Sequence, residues 1–344
     1  MDNKYDISVM IGRFQPVHSA HIEIIKQALE ISDKLIIIIG SDKIPRTPKN
    51  PFTSREREEM ILNSLPKELW GNLEFARIQD AVYNTQEWVR NVQNAVRAAS
   101  LHLVNGWRDK ISTVLIGHHK DTSSFYLDMF PQWESMEIPL IEDLHSTDIR
   151  DRYFSGQNKL DKLPDGVKIF MDLFETGEEF QILKEEYNYI EAYKERWEAA
   201  PYDPTFVTVD AVVIQSGHVL LVKRRASPGK GLYALPGGFL DIEETMEDGM
   251  IRELREETKI KVPEPVLRGN IKKSRIFDDP RRSLRGRTIT NAFLIELPAG
   301  KLPKVKGSDD AEKAMWIPLN EFYKIQDKMF EDHWHIIVKF IGDL

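Results

Sequence analysis

Two groups of side chains in this 344-residue chain have the types and spacing to do chemistry. The first lies in Gly12-Arg13-Phe14-Gln15-Pro16-Val17-His18-Ser19-Ala20-His21. His18 and His21 stand three residues apart, so they share one face at the start of a helix. A helix N-terminus already favours an anion through its free N–H groups and its dipole. Imidazole donors added there would hold a polyphosphate and stabilise charge as a phosphoryl bond breaks. Taken alone, the pair also fits two half-exposed helix histidines. The second group is Glu253, Glu256 and Glu257, on one face of a helix by the i, i+3, i+4 rule. Three gathered carboxylates repel one another unless divalent cations sit between them. Such hard oxygen ligands suit Mg²⁺, with Mn²⁺ as a substitute. The bland alternative is a solvated acidic face, and Arg252 and Arg255 form no simple i,i+4 ladder to the three glutamates that would favour it.

The elements that must position these groups follow from hydrophobic periodicity. Strands are expected at 7–11, 35–39, 73–78, 113–116 and 137–141, alternating with helices at 21–31, 54–64, 84–99, 123–130 and 147–154. The run 35–39 is apolar throughout, as for a central parallel strand covered on both faces. Thr53 with Glu56 makes a capping box for the second helix. This rhythm predicts an α/β fold: an N-terminal doubly wound, Rossmann-like domain with its ligand site beyond the carboxyl ends of the strands. Gly12 closes the first strand at such a point. Residues 156–201 read as a helical connector. It has a polar, turn-rich start and a charged helix at 178–198 carrying Phe180, Leu183, Tyr187, Ile190 and Tyr193 on one stripe. From residue 202 the pattern is β-rich. Strands are expected at 206–214 and 218–224 around a Ser216-Gly217 turn, then Pro236-Gly237-Gly238 and a helix at 244–258. Strands at 285–297 and 314–317 and a terminal helix complete an α+β domain. The expected divisions are 1–155, 156–201 and 202–344.

Composition removes several classes. The net charge of −8 argues against a nucleic-acid partner held mainly by charge. The absence of cysteine excludes disulfides, Cys-ligated zinc, Fe–S clusters and thiol nucleophiles. The longest apolar run is far short of the roughly 20 residues a membrane span needs, and the N-terminus lacks a signal-peptide pattern. Cytoplasmic residence without a membrane partner is therefore expected, and a homo-oligomer is compatible with the sequence.

The segment from Gly12 to His21, together with Asn50–Arg57, Asp80–Asn84 with Trp88, Gly117-His118 and Ser146-Thr147-Asp148-Ile149-Arg150, resembles the nucleotidyltransferase superfamily. Within it the similarity is to archaeal-type nicotinamide mononucleotide (NMN) adenylyltransferases. Ala20 stands where that family usually has glycine, and His145 where it often has serine. The resemblance implies adenylyl transfer from ATP to NMN, giving NAD and pyrophosphate by in-line attack with Mg²⁺ screening the phosphates. It implies triphosphate binding by His18, His21 and Arg150, with Gly12, Arg13, Phe14, Ser146 and Thr147 around it and Lys49 or Arg46 closing from the loop. It implies a nicotinamide subsite at Asn84 and Trp88, although Trp88 equally fits a core-packing aromatic.

Gly238, Glu244, Arg252, Glu253, Glu256 and Glu257 match the fixed positions of the Nudix signature. Chance placement of those six is below about one in a thousand from average residue usage. Residues 202–344 thus resemble Nudix hydrolases, with Lys259 in place of the usual glycine. The resemblance implies a second α+β domain in which Glu253, Glu256 and Glu257 bind metal, Glu253 and Glu257 carry the chemistry, and a nucleoside diphosphate derivative is hydrolysed. ADP-ribose is the expected substrate because of the fusion to an NAD-forming domain. Arg281, Arg282, Arg285 and Arg287 could meet substrate phosphates, but solvating a hairpin is the preferred reading. The alternatives are another adenylyl acceptor such as nicotinate mononucleotide, and a Nudix domain that takes another nucleoside diphosphate derivative or acts as a ligand sensor without catalysis.

Overall fold

A computed structural model of the chain describes residues 4–103, 111–117, 127–138, 145–157, 163–307 and 311–342. They form two compact units, Met1–Lys184 and Glu185–Leu344.

The first unit is built on a five-stranded parallel sheet. Its strands are β1 (Tyr5–Gly12), β2 (Ser32–Ile39), β3 (Leu73–Arg77), β4 (Thr113–Gly117) and β5 (Glu134–Glu137), in the order β3-β2-β1-β4-β5. Leu35 to Ile39 are fully buried, because helices cover both faces. Ile36 and Ile38 join Ile7, Val9 and Leu115 beneath Val92, Val96 and Ala99 of α3 (Thr85–Leu103). The order reverses between β1 and β4, and a doubly wound sheet opens its ligand crevice at that switch. The turn from β1 into α1 (Ser19–Ile31) lies there. The Thr53–Glu56 capping box opens α2 (Ser54–Leu62) as expected. Two expectations shift. The fifth strand pairs with β4 at Glu134–Glu137, a polar edge strand with no apolar alternation to mark it; of the expected 137–141, residues 139–141 lie outside the described residues. The expected helix at 123–130 lies mostly outside the described residues, of which Leu127–Met129 form a single 3-10 turn.

The expected connector does not form a third body. Besides α4 (Ser146–Ser155), a helix absent from the sequence reading, α5 (Asp165–Glu175), completes the first unit. Its Val167, Met171 and Phe174 are buried at helical spacing. Phe174 meets Phe52 at 5.3 Å, and Phe180 of α6 (Glu178–Glu195) meets Tyr153 of α4 at 4.9 Å. The later part of α6 belongs to the second unit, where Tyr193 packs edge-on against Phe206.

The second unit has a mixed sheet built from β6 (Thr205–Gln215), β7 (His218–Arg224), β10 (Ile271–Phe277), β11 (Arg287–Glu296) and β12 (Ala311–Pro318). Their order is β10-β11-β6-β7-β12. The short β8 (Tyr233–Ala234) and β9 (Gly237–Phe239) pair with β7 and β6. Ser216 and Gly217, both at positive φ, turn β6 into β7 as a two-residue hairpin requires. α7 (Met246–Thr258) lays Met250, Ile251 and Leu254 on Val209, Ala211 and Val213 of β6. α8 (Glu264–Gly269), α9 (Leu319–Phe322) and α10 (His333–Ile341) complete it.

The start of α10 is a buried polar seam. Asp332 pairs with Arg282 through two hydrogen bonds, at 2.8 and 2.9 Å. His333 Nδ1 accepts the Leu235 N–H at 2.9 Å, so its neutral ring carries the proton on Nε2. Burial holds this imidazole below its usual range, against the opposing pull of Asp210, Asp332 and Glu331, while Arg282 adds to the depression. The folded state therefore binds this proton less readily than the unfolded chain. The stability His333 contributes is present above its unfolded pKa of 6.5 and is lost as pH falls through the folded value. His333→Asn keeps an acceptor for Leu235 and cannot titrate. Thermal melts from about pH 7 to about pH 5 should show the wild-type transition falling several degrees more than that of the variant.

Candidate active sites

In the first unit the turn after β1 is rigid by construction. The Gly12 carbonyl accepts the Gly40 N–H at 2.9 Å, joining the exits of β1 and β2. A Cβ on Gly12 would stand 2.7 Å from the Phe14 ring, so only glycine fits. Phe14 sits at φ 53°, is buried, and meets the His21 ring edge-on at 5.0 Å. Its side chain props His21 and is too deep to be a phosphate ligand; its backbone N–H is what it has to offer. His18 caps α1 and is 5% exposed. Its ring stacks on that of the half-buried His21 at 3.6 Å. The His18 N–H donates to His21 Nδ1 at 3.3 Å, which leaves the ring proton of neutral His21 on Nε2 as a donor. Ala20 is buried in the same first turn.

α4 brings Ser146, Thr147 and Arg150 to this turn. Ser146 Oγ donates to the Pro16 carbonyl at 3.2 Å, and Arg150 donates to the Gln15 carbonyl at 2.6 Å and to Thr147 Oγ1 at 3.1 Å. The N-termini of α1 and α4 therefore meet at one turn. Burial pushes the Arg150 guanidinium down to about 10, and the like charge of Arg13 adds to the shift. Asp151 and Asp148 oppose the shift, and Arg150 remains a cation at neutral pH.

Lys49 lies in a turn closed by reciprocal Thr47–Asn50 backbone hydrogen bonds of 3.0 and 3.3 Å. Arg46 has a different job from the expected one. Its guanidinium donates to both Glu56 oxygens at 2.7 and 2.8 Å and to the Pro51 carbonyl at 2.6 Å, over the Phe174 ring. It braces the loop from behind. Asn84 caps α3, its Oδ1 accepting the Glu87 N–H at 3.2 Å, and remains exposed. Trp88 is half-buried and packs on the core beside Phe130, as its core-packing reading expects. Gly117 ends β4, while His118 lies outside the described residues.

Two residues given no role from sequence hold this site together. Buried Gln15 pairs with both backbone groups of Phe52, at 2.7 and 3.0 Å. Arg57, 1% exposed, donates to the carbonyls of Arg13 (2.7 Å), Gly40 (2.7 Å), Ser41 (3.1 Å) and Thr53 (3.1 Å). Burial lowers its pKa to about 10, with Asp42 and Asp80 opposing the shift. A signal existed: Met60 and Ile61, at i+3 and i+4 from Arg57, are apolar and share its face.

In the second unit β9 and α7 face each other. A Cβ on Gly238 would collide with the Glu253 carboxylate, so glycine lets the strand approach the acid. Glu257 is buried and accepts the Gly237 N–H at 3.0 Å. Burial pushes its carboxyl up to about 8, with Glu253 and Asp210 adding to the rise and the Gly237 hydrogen bond and Arg224 opposing it. Burial also raises Glu253. Arg252 is more engaged than its spacing implied. It holds Glu244 at 2.6 and 3.0 Å, Glu253 at 2.9 Å and, as an i,i+4 pair, Glu256 at 3.2 Å. The expected lack of an i,i+4 contact is thus corrected. Because Arg252 draws off Glu253 and Glu256 while Glu257 turns to Gly237, no three His, Asp or Glu side chains among the described residues close into a metal-binding group. The donor chemistry still fits a hard divalent cation: a buried carboxylate held partly against ionisation lies beside a second one. Lys259 ends α7 at φ 44°, the left-handed geometry in which glycine costs least. Arg281 pairs with Asp279 and Arg287 donates to the Asp278 carbonyl within the hairpin, but Arg285 pairs with Glu331 and buried Arg282 with Asp332, so the expected hairpin-solvating role does not hold for Arg282.

Family models match both units: cytidylyltransferase-like over residues 9–152 and NUDIX domain over 204–340. A Francisella tularensis protein, the bifunctional NMN adenylyltransferase/ADP ribose pyrophosphatase, was solved with AMP and a Mn ion. It is 35% identical, with 98% of this chain and 99% of that one covered and a TM-score of 0.91. The chain belongs to this bifunctional family. Each half also has single-domain relatives. The nicotinamide/nicotinic acid mononucleotide adenylyltransferase of Acinetobacter baylyi is 39% identical over 186 residues, 54% of this chain and 94% of its own. The ADP-ribose pyrophosphatase of Methanocaldococcus jannaschii is 34% identical over 130 residues, 37% of this chain and 72% of its own. As in other members of the bifunctional family, the fold is α/β followed by a Nudix domain. No helix among the described residues is long and apolar enough to cross a membrane.

A cation that binds the folded second unit alone will stabilise it. Saturating Mn²⁺ should raise its melting temperature by several degrees. Glu257→Gln should weaken Mn²⁺ binding, measured calorimetrically, by at least about tenfold, as loss of a charged ligand requires. An unchanged affinity would remove Glu257 from the cation site.

Proposed function

We propose that the first unit transfers AMP from ATP to NMN, releasing NAD and pyrophosphate, and that the second hydrolyses ADP-ribose to AMP and ribose 5-phosphate. The observation that carries this is the match over 98% of the chain to a protein whose name gives both activities, with every proposed phosphate or metal ligand of the two motifs present. In the first reaction an NMN phosphate oxygen attacks the α-phosphorus of ATP, and the bond to the β-phosphate oxygen breaks. No protein nucleophile is needed, so the protein supplies position and positive charge. His21, with His18 stacked behind it, donates from Nε2 to the triphosphate. Arg13 and Arg150 meet its charge, Thr147 donates at the start of α4, and Lys49 approaches from the loop. Asn84 and Trp88 receive the nicotinamide.

In the second reaction a water oxygen attacks one phosphorus of the diphosphate and the bridging P–O bond breaks. Glu253, Glu256 and Glu257 would hold Mg²⁺, which supplies charge neutralisation and a more acidic water. Arg252 and Glu244 fix the turn of β9 against α7. The substrates are the small molecules ATP, NMN and ADP-ribose, in a cytoplasmic setting.

Products of the wild-type enzyme with Mg²⁺, ATP and NMN, and separately with ADP-ribose, test this directly. His21→Ala should slow NAD formation by about 10²–10³-fold, the usual cost of one transition-state donor, and leave ADP-ribose hydrolysis intact. Glu257→Gln should do the reverse. NMN no faster than flavin mononucleotide as acceptor, or AMP output surviving Glu257→Gln, would overturn the corresponding half.

A further inference from the structure

The carbonyls gripped by Arg57 come from three separate stretches: the turn after β1, the exit of β2, and the cap of α2. A trans peptide is planar, so its C=O and N–H point in opposite directions. Wherever Arg57 takes a carbonyl, the N–H of the next residue is turned away from it. For the Gly40–Ser41 peptide that N–H meets Asp80 Oδ1 at 3.3 Å. For Ser41–Asp42 it meets the Ile78 carbonyl at 3.0 Å, and for Thr53–Ser54 it opens α2. For Arg13–Phe14 the N–H finds no acceptor among the described residues. Its neighbours on either side are committed to the phosphate site. The Phe14 ring touches His21, and the Gln15 carbonyl holds Arg150.

We propose that Arg57 is a positioning residue for adenylyl transfer: by holding the Arg13 carbonyl it turns the Phe14 N–H outward as a phosphate donor between His21 and Arg150. Arg57 itself touches no substrate. The planar fork of its guanidinium reaches several carbonyls at once, which a lysine ammonium cannot do in the same geometry. Phe14 at positive φ is the conformation that this grip maintains. The inference rests on the adenylyl-transfer reading above for the identity of the anion, but the donor itself can be tested without turnover.

Wild-type protein labelled with ¹⁵N-phenylalanine is titrated with inorganic tripolyphosphate, the Phe14 amide being assigned by its loss in Phe14→Leu. The Phe14 resonance should shift on titration. In Arg57→Lys that shift should shrink and the KM for ATP should rise by about tenfold, one lost charge-assisted contact. The KM for NMN and the rate of ADP-ribose hydrolysis should stay as in the wild type, the latter reporting that the chain is folded. A wild-type Phe14 amide that ignores tripolyphosphate overturns the proposal. So does an Arg57→Lys enzyme that melts lower but keeps its KM for ATP, since Arg57 would then brace the fold alone. Should Arg57→Lys misfold, Arg57→Gln, which keeps a planar donor group but loses the fork, is read by the same amide shift and KM for ATP. A shifting amide in a protein that makes no NAD would sink the adenylyl-transfer reading and leave the positioning intact.

Discussion

Like charges held together in partly dry surroundings are the constraint on which both sites rest. Arg150 is pushed down to about 10 by burial and by Arg13 beside it, and Glu257 is pushed up to about 8 by burial and by Glu253. Neither arrangement is favourable alone, because a charge removed from water loses solvation that a like neighbour cannot return. Opposing charges offset part of this cost, Asp151 and Asp148 for Arg150 and Arg224 for Glu257. On the proposed function, an anion in the first unit and a divalent cation in the second would offset more of it, without reorganisation of the protein's own charges.

Holding such groups in place demands rigidity from segments that are formally loops. In the first unit the rigidity comes from backbone capture. Arg57 and Gln15 satisfy carbonyl and N–H groups of chain segments about 40 residues apart, and Arg150 and Ser146 do the same from more than 100 residues further on. In the second unit Arg252 serves as an internal counter-ion. It spreads one guanidinium over Glu244, Glu253 and Glu256, so the acidic helix is tolerable before a cation arrives. Hydrogen bonds to a charged partner are the stronger kind, which is why single arginines can carry these tasks.

Much of this was legible in the sequence because it is local. The apolar run at 35–39, the Thr53–Glu56 box, the Ser216-Gly217 hairpin and the i, i+3, i+4 spacing of the glutamates each depend on neighbours within a few residues. Roles set by distant contacts were not legible. Arg46 looked like a loop cation, and its pairing with Glu56 above Phe174 depends on α5, whose period was hidden behind a polar, turn-rich stretch. Phe14 looked like part of a phosphate loop, and only the packing against Gly12 and His21 shows the ring turned inward. The edge strand β5 escaped because Glu134-Ser135-Met136-Glu137 has no apolar alternation; its register comes from β4 alone.

The segment between the two family matches shows why such a boundary is poorly read from pattern alone. Residues 156–201 carry charge enough to look like a spacer, yet their apolar side chains are divided between two cores. Phe174 and Phe180 close over Phe52, Tyr153 and Phe154 in the first unit, while Tyr193 and Trp197 close over Phe206 in the second. Phe206 in turn supports Phe239, the residue after Gly238. Buried Phe174 and Phe180 each contribute on the order of 2–3 kcal/mol through the area they remove from water, whereas Tyr193 is half-buried and Trp197 exposed, so the first unit draws more on this segment than the second. The helices that seem to separate the two chemistries are thus part of the scaffold of both, and the elements holding Arg150 and Gly238 extend beyond the stretches whose motifs announce them.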